Sequence, residues 1–204
     1  MKSKFNKERR DVLKCVLMLV GATALGTVGG SLPAFAAGGA GEQPQPPGAP
    51  KPHDQFVYND GPNKGQYVKT ADIVLDAPPI SVQAKDPESG QVRESEKSKV
   101  LLYRVKADTI PVEWRGDSAD GILAYSALCT YDGNLIEPKD WDATNKQFVC
   151  SECKTKYDPV KGAAVVSGPG KRELPQVPVA DNVDNPGFLW ISHGIIGWIG
   201  IKRR

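Results

Sequence analysis

The sequence predicts an all-β domain over residues 68–204, and three observations predict it. Short apolar runs alternate with turn residues throughout that stretch. No segment sustains the period of an amphipathic helix. The span is long enough to close one hydrophobic core of its own.

The elements follow in order. Glu8-Arg9-Arg10-Asp11-Val12-Leu13-Lys14 resembles the twin-arginine export motif. An uncharged stretch runs from Cys15 to Gly41, and Ala34-Phe35-Ala36 has the small-x-small form of a signal-peptidase site. Residues 1–36 therefore read as a twin-arginine signal peptide. The same stretch is long enough to cross a bilayer, so retention as an anchor is the alternative; its Gly, Ala and Pro33 favour cleavage. Residues 37–67 are rich in Gly, Pro and Gln and read as a linker, or an arm that orders on a partner. His53 within them reads as a solvated side chain. Ala71–Leu75, Val100–Val105, Ile122–Leu128, Gln147–Val149 and Val177–Val179 read as strands. Gly133-Asn134, Asp158-Pro159, Gly168-Pro169-Gly170 and Asn185-Pro186-Gly187 read as turns. Residues 84–99 are charged and poor in apolar side chains, which predicts an exposed loop. The four Trp read as core.

Charge narrows the function classes. The chain carries a net +2. Residues 1–36 hold six Lys/Arg against two Asp/Glu, so the remainder is slightly acidic, with 20 basic and 22 acidic residues. It lacks the basic surface run that nucleic-acid binding needs. Lys202-Arg203-Arg204 reads as a solvated tail. No Ser/His/Asp arrangement, phosphate-cradling glycine loop or paired-carboxylate site stands out, so no catalytic residue is assigned.

Three of the four cysteines fall in Cys129-Thr130-Tyr131 and Cys150-Ser151-Glu152-Cys153. Thiols cluster in this way to form a disulfide or to bind a metal. A disulfide uses two sulfurs and leaves one over; a metal centre can use all three. His193 lies in an apolar closing segment and reads as a packed or surface His, not a ligand.

This arrangement resembles the Rieske [2Fe-2S] site, in which one loop gives Cys-x-His and a second gives Cys-x-x-His. The resemblance covers roughly residues 100–200. It includes the runs Ile122–Thr130 and Asn145–Cys150 entering the two loops, Cys153–Pro159 after the second, Ser167-Gly168-Pro169-Gly170, and Leu174–Val179. Within that family the chain looks most like the small subunit of arsenite oxidase, also a twin-arginine substrate. The resemblance implies an antiparallel β sandwich or barrel with a small two-loop cluster-binding subdomain around 121–170. It puts Cys129 and Cys150 at the cysteine ligand positions, and Tyr131 and Cys153 at the two His positions. It puts Thr155 and Tyr157 where hydroxyls hydrogen-bond sulfur and raise the reduction potential. Pro169 falls in the loop that covers the cluster. Asn134 and Glu152 replace the cysteines of the inter-loop disulfide found in many members.

Three states of the site stay open at this point. One is a [2Fe-2S] cluster on Cys129, Cys150, Cys153 and a fourth ligand such as Tyr131. One is a Cys150–Cys153 disulfide with Cys129 free. The third is a mononuclear Zn²⁺ on the same thiolates. The resemblance implies a periplasmic electron-transfer subunit, held at the inner membrane if the N-terminal segment is retained as an anchor. It would relay electrons between a larger molybdopterin or cytochrome b subunit and a cytochrome c or cupredoxin. The competing reading is a cluster-free scaffold that stabilises a partner. Thiolate in place of imidazole predicts a potential below the Rieske range of about −150 to +300 mV, without its pH dependence.

Overall fold

The computed structural model describes residues 44–201. Residues 1–36, read from the sequence as an export signal, and Cys15 within them lie outside the described residues, as does Lys202-Arg203-Arg204. Nine strands form two sheets among the described residues, and every strand pairing is antiparallel. The larger sheet takes β1 (Gln55–Tyr58), β2 (Ile80–Lys85), β3 (Lys99–Arg104), β4 (Ile122–Ser126), β8 (Val179–Asp181) and β9 (Leu189–Ile191), in the order β4-β3-β2-β1-β9-β8. The smaller takes β5 (Phe148–Val149), β6 (Lys156–Asp158) and β7 (Ala164–Ser167). One helical turn, α1 (Val112–Arg115), precedes β4.

The larger sheet nearly closes on itself. The free edge of β4 is bonded to the chain that leads into β8: Ser126 N–H donates to Pro175 O at 2.9 Å and Val177 N–H to Ala124 O at 2.9 Å. Edge strands left open invite pairing with other chains, and this seam removes most of that edge. The result is the antiparallel all-β architecture that the sequence predicts.

β3 and β4 position the site because both are buried on two faces. Val100, Leu102, Ile122 and Ala124 point into the barrel with Phe56, Val82, Val179 and Ile191. Leu101, Tyr103, Leu123 and Tyr125 point the other way, into a second core with Phe148, Tyr157 and Leu174. The two strands are thus a shared wall between the barrel and the small sheet. Two-sided burial explains why Val100–Tyr103 and Ile122–Tyr125 read as unbroken apolar runs and not as an alternation. The second core is dominated by rings; Phe148 meets Tyr125 edge-on at 5.9 Å and Trp141 at 5.5 Å.

The structure corrects several expectations. The segment 37–67 is not a linker over its described part. β1 lies inside it, between β2 and β9, with Phe56 and Val57 buried. Asp54 is 2% exposed and is gripped by Arg93, with Nε 2.5 Å from Oδ2 and Nη2 2.8 Å from Oδ1. Gln45 donates to Gly197 O at 2.7 Å and accepts from Ile199 N–H at 3.3 Å. Averaging over the flanking Pro and Gly hides a strand of only four residues.

Residues 84–99 likewise do more than loop through solvent. Ala84 is a core residue of β2, and Arg93 folds the loop back onto Asp54. Ala71–Leu75 is not a strand. Thr70–Asp72 is a 3-10 turn in which Asp72 accepts from Lys69 N–H and from Tyr58 OH, and only Ile73 is buried. The four Trp are half-buried at the margins of the cores and not within them. Among the described residues no helix is long and apolar enough to cross a membrane.

Candidate metal centre

β4 delivers its chain directly into a tight loop that starts at Cys129, and β5 delivers its chain into another that starts at Cys150. The two loops repeat one backbone pattern. Cys129 N–H donates to Asn134 O at 2.8 Å, and Gly133 N–H donates back to Cys129 O at 3.0 Å. Cys150 N–H donates to Thr155 O at 2.9 Å, and Lys154 N–H donates back to Cys150 O at 2.9 Å. Each loop turns through a left-handed residue at the same place, Gly133 at φ 78° and Lys154 at φ 62°. Glycine takes that conformation freely, whereas lysine does not.

The loops bring Cys129, Cys150 and Cys153 together. Cys129 Sγ lies 3.6 Å from Cys153 Sγ. All three cysteines are unpaired, Cys129 and Cys150 buried and Cys153 half-buried. A fourth group joins them that the sequence reading missed. The Asp132 carboxylate and the three sulfurs all lie within 4.8 Å of one another. Cys150 Sγ is 3.5 Å from Asp132 Oδ2, and Asn134 N–H holds Oδ1 at 3.0 Å. Tyr131 stands between Cys129 and Asp132 in the chain and is 52% exposed.

Hydroxyls surround the sulfurs. Tyr157 is fully buried, with its oxygen 3.3 Å from Cys129 Sγ and 3.3 Å from Thr130 Oγ1. The Cys153 thiol donates to Thr155 Oγ1 at 3.1 Å. Thr155 Oγ1 also accepts from Gly170 N–H at 3.1 Å, which seats the covering loop over the site. A Cβ on Gly168 would lie 2.5 Å from Thr155 Cα, so only glycine permits that approach. Pro169 sits exposed at the crest between these two glycines. Thr130 Oγ1 donates to Arg172 O at 2.7 Å, and the Arg172 guanidinium donates to Trp198 O and Gly200 O. The site, the covering loop and the closing segment are therefore joined by one chain of hydrogen bonds. Thr130 and Arg172 carry no sequence signal for this role.

The surroundings set the proton states. Burial pushes the Cys129 thiol up, against the Tyr157 hydrogen bond that pulls it down. Burial likewise pushes up the Cys150 thiol and the Tyr157 phenol. Burial works against ionisation of Asp132, but the Asn134 N–H and the Cys129 thiol hold its carboxyl down to about 2. Metal binding then means replacing thiol protons beside a carboxylate that is already charged.

Three thiols and a carboxylate are four donors, enough for a thiolate-held iron–sulfur centre or a single tetrahedral ion. The chain's two His are not among them. His53 stacks on Trp190 at 4.9 Å, and His193 Nε2 is 2.8 Å from Asp117 Oδ1. The donor set fits a cysteine-rich centre and does not fit two-imidazole ligation.

No family model matches the chain. It is 35% identical over 109 residues to a putative respiratory nitrate reductase subunit Rieske of Haloferax mediterranei, covering 52% of this chain and 46% of the relative. It is 30% identical over 97 residues to the cytochrome bc1 complex Rieske iron-sulfur subunit of Streptomyces lividans, covering 46% of this chain and 53% of the relative. The chain thus spans about half the length of these curated relatives. Among solved structures, the soluble domain of Rieske protein II (soxF) of Sulfolobus acidocaldarius aligns at TM-score 0.38 and 20% identity, covering 52% of this chain and 67% of that one. The plasma membrane Rieske protein PetC3 of Synechocystis PCC 6803 aligns at 0.34 and 18%, covering 55% and 85%. Over about half its length, the chain is thus similar in sequence to named Rieske iron–sulfur subunits.

Proposed function

We propose that the chain is an exported electron-transfer subunit carrying an atypical Rieske-type [2Fe-2S] cluster at Cys129, Cys150 and Cys153. One observation carries the reading. In a chain similar to named Rieske subunits, three thiols converge from two loops, with the Tyr157 hydroxyl against Cys129 and the Thr155 hydroxyl against Cys153. When bound, the cluster supplies one-electron redox chemistry. The residues of this chain hold it and tune it. Tyr157 presents a hydroxyl to Cys129, Thr155 fixes Cys153 and the covering loop, and burial of Cys129 and Cys150 keeps water from their side.

The relatives are named as subunits of a respiratory nitrate reductase and of a cytochrome bc1 complex. That supports a larger redox partner here, of molybdopterin or cytochrome b type, with a cytochrome c or cupredoxin on the other side. The export motif at Glu8–Lys14 supports a periplasmic location. The test is to purify the full chain after native export and measure iron, acid-labile sulfide and visible absorption. Iron and sulfide in equal amounts, with a potential below about −150 mV that does not move with pH, are the expected result. Colourless, iron-free protein overturns the proposal.

A second reading has its own observation. An ion with bonds of about 2.3 Å to thiolates in a tetrahedron sets the sulfurs about 3.8 Å apart. Cys129 and Cys153 are 3.6 Å apart and all four donors lie within 4.8 Å, the spacing of a single ion such as Zn²⁺. Zinc without sulfide in the exported protein would establish this reading in place of the first.

A further inference from the structure

The structure assigns the fourth protein ligand of this centre to Asp132, on the geometry of the two loops. The inference rests on the reading that Cys129, Cys150 and Cys153 hold a metal centre, and it adds the group that completes the set. The two loops are copies in backbone hydrogen bonding and in the left-handed residue that turns them. Superposed in register, Cys129 matches Cys150 and Gly133 matches Lys154. The third residue after the leading cysteine is then Cys153 in one loop and Asp132 in the other. Tyr131 matches Glu152, which is exposed, as Tyr131 is. The backbone that aims Cys153 at the centre therefore aims Asp132 there too.

Contacts agree with that register. The Asp132 carboxylate is within 4.8 Å of all three sulfurs, and its Oδ2 is the closer oxygen to Cys150 Sγ, at 3.5 Å. The other oxygen is taken by Asn134 N–H at 3.0 Å, which fixes the carboxylate before any metal arrives. Fixing a ligand in this way is what neighbours of a metal site do. Chemistry agrees as well. A carboxylate is charged at neutral pH, whereas a phenol must lose a proton that it ordinarily holds until about pH 10. Zinc and ferric iron both accept such an oxygen beside thiolates.

The test uses the full chain, loaded in separate arms with Co²⁺ alone and with iron plus sulfide under anaerobic conditions. Asp132→Asn, Asp132→Cys and Tyr131→Phe are compared with the unaltered protein. Asp132→Asn should weaken Co²⁺ binding by at least about tenfold and shift the absorption of the iron-loaded protein. Asp132→Cys should bind Co²⁺ and raise the thiolate-to-cobalt absorption by about one third, the step from three thiolates to four. It also guards against a misfolded Asp132→Asn. Tyr131→Phe should match the unaltered protein in affinity and spectrum. Unchanged spectra in both Asp132 variants, or loss of binding in Tyr131→Phe alone, would overturn the assignment while leaving the metal centre standing. An unaltered protein that takes up neither cobalt nor iron would overturn both.

Discussion

Tyr157 places one hydroxyl against the first loop, 3.3 Å from Cys129 Sγ and 3.3 Å from Thr130 Oγ1. A hydrogen bond to a ligating thiolate favours the more negative, reduced state of the centre, and so raises its potential. Tyr157→Phe keeps the ring that packs the second core and removes only the hydroxyl, with its contacts to Cys129 and Thr130. If the proposed cluster is bound, the variant is expected to retain it and to titrate at a lower potential than the unaltered protein. An equal potential in the two would show that the phenol has no electrostatic part. Asp132 teaches a different lesson about single residues. The three cysteines were legible because cysteine is rare and clustered, and Cys150-x-x-Cys153 is a familiar spacing. An aspartate three residues after Cys129 is an ordinary loop residue until the backbone shows that its loop copies the other one.

Among the elements, the strands buried on both faces were the easiest to read. Val100–Tyr103 and Ile122–Tyr125 are continuous apolar runs because the barrel lies on one side of them and the second core on the other. β1 was hidden by Pro and Gly on either side, and β7 by its exposure, since only Val165 packs inward. The turn entering β5 shows how side chains outside the core hold an element in place. Asp142 accepts from both Asn145 N–H and the Asn145 side chain, and Lys156 Nζ reaches it from β6 at 2.9 Å. The Asn145 amide first, and Lys156 next, keep this carboxyl well below the usual carboxylate range. A depressed carboxyl stabilises the fold fully above its unfolded value of about 3.9, and less as the pH falls toward its folded value. Asp142→Asn should therefore melt below the unaltered protein at pH 7, and the gap should narrow between pH 4 and pH 2. A gap that stays constant over that range would mean that the charge of Asp142 does not contribute.

At the scale of the whole molecule, a buried ion pair ties the first described residues to the loop after β2. Asp54 is almost completely buried, and both of its oxygens face Arg93. Removing the cation leaves a buried carboxylate with only the Lys51 N–H. Arg93→Ala is expected to cost about 3 kcal/mol, as breaking a buried pair does. In a domain of this size that lowers the melting temperature by roughly 6–12 °C. Adding Asp54→Asn should recover part of the loss, because it removes the stranded charge. If the double variant melts no higher than Arg93→Ala, the effect comes from lost packing.

Arg172 extends this coupling to the candidate metal site. Its carbonyl is held by Thr130, beside Cys129, while its guanidinium clasps the carbonyls of Trp198 and Gly200. Whatever tightens the first loop is thus felt near the C-terminal end, far along the chain from any cysteine. Amide hydrogen exchange reads such local opening directly. Loading the site should slow exchange not only at residues 129–134 and 150–155 but also at 170–172 and 198–200. Arg172→Ala should leave the first two segments slowed on loading and release the last. A protease that trims the end of the chain would then report on the state of the thiols.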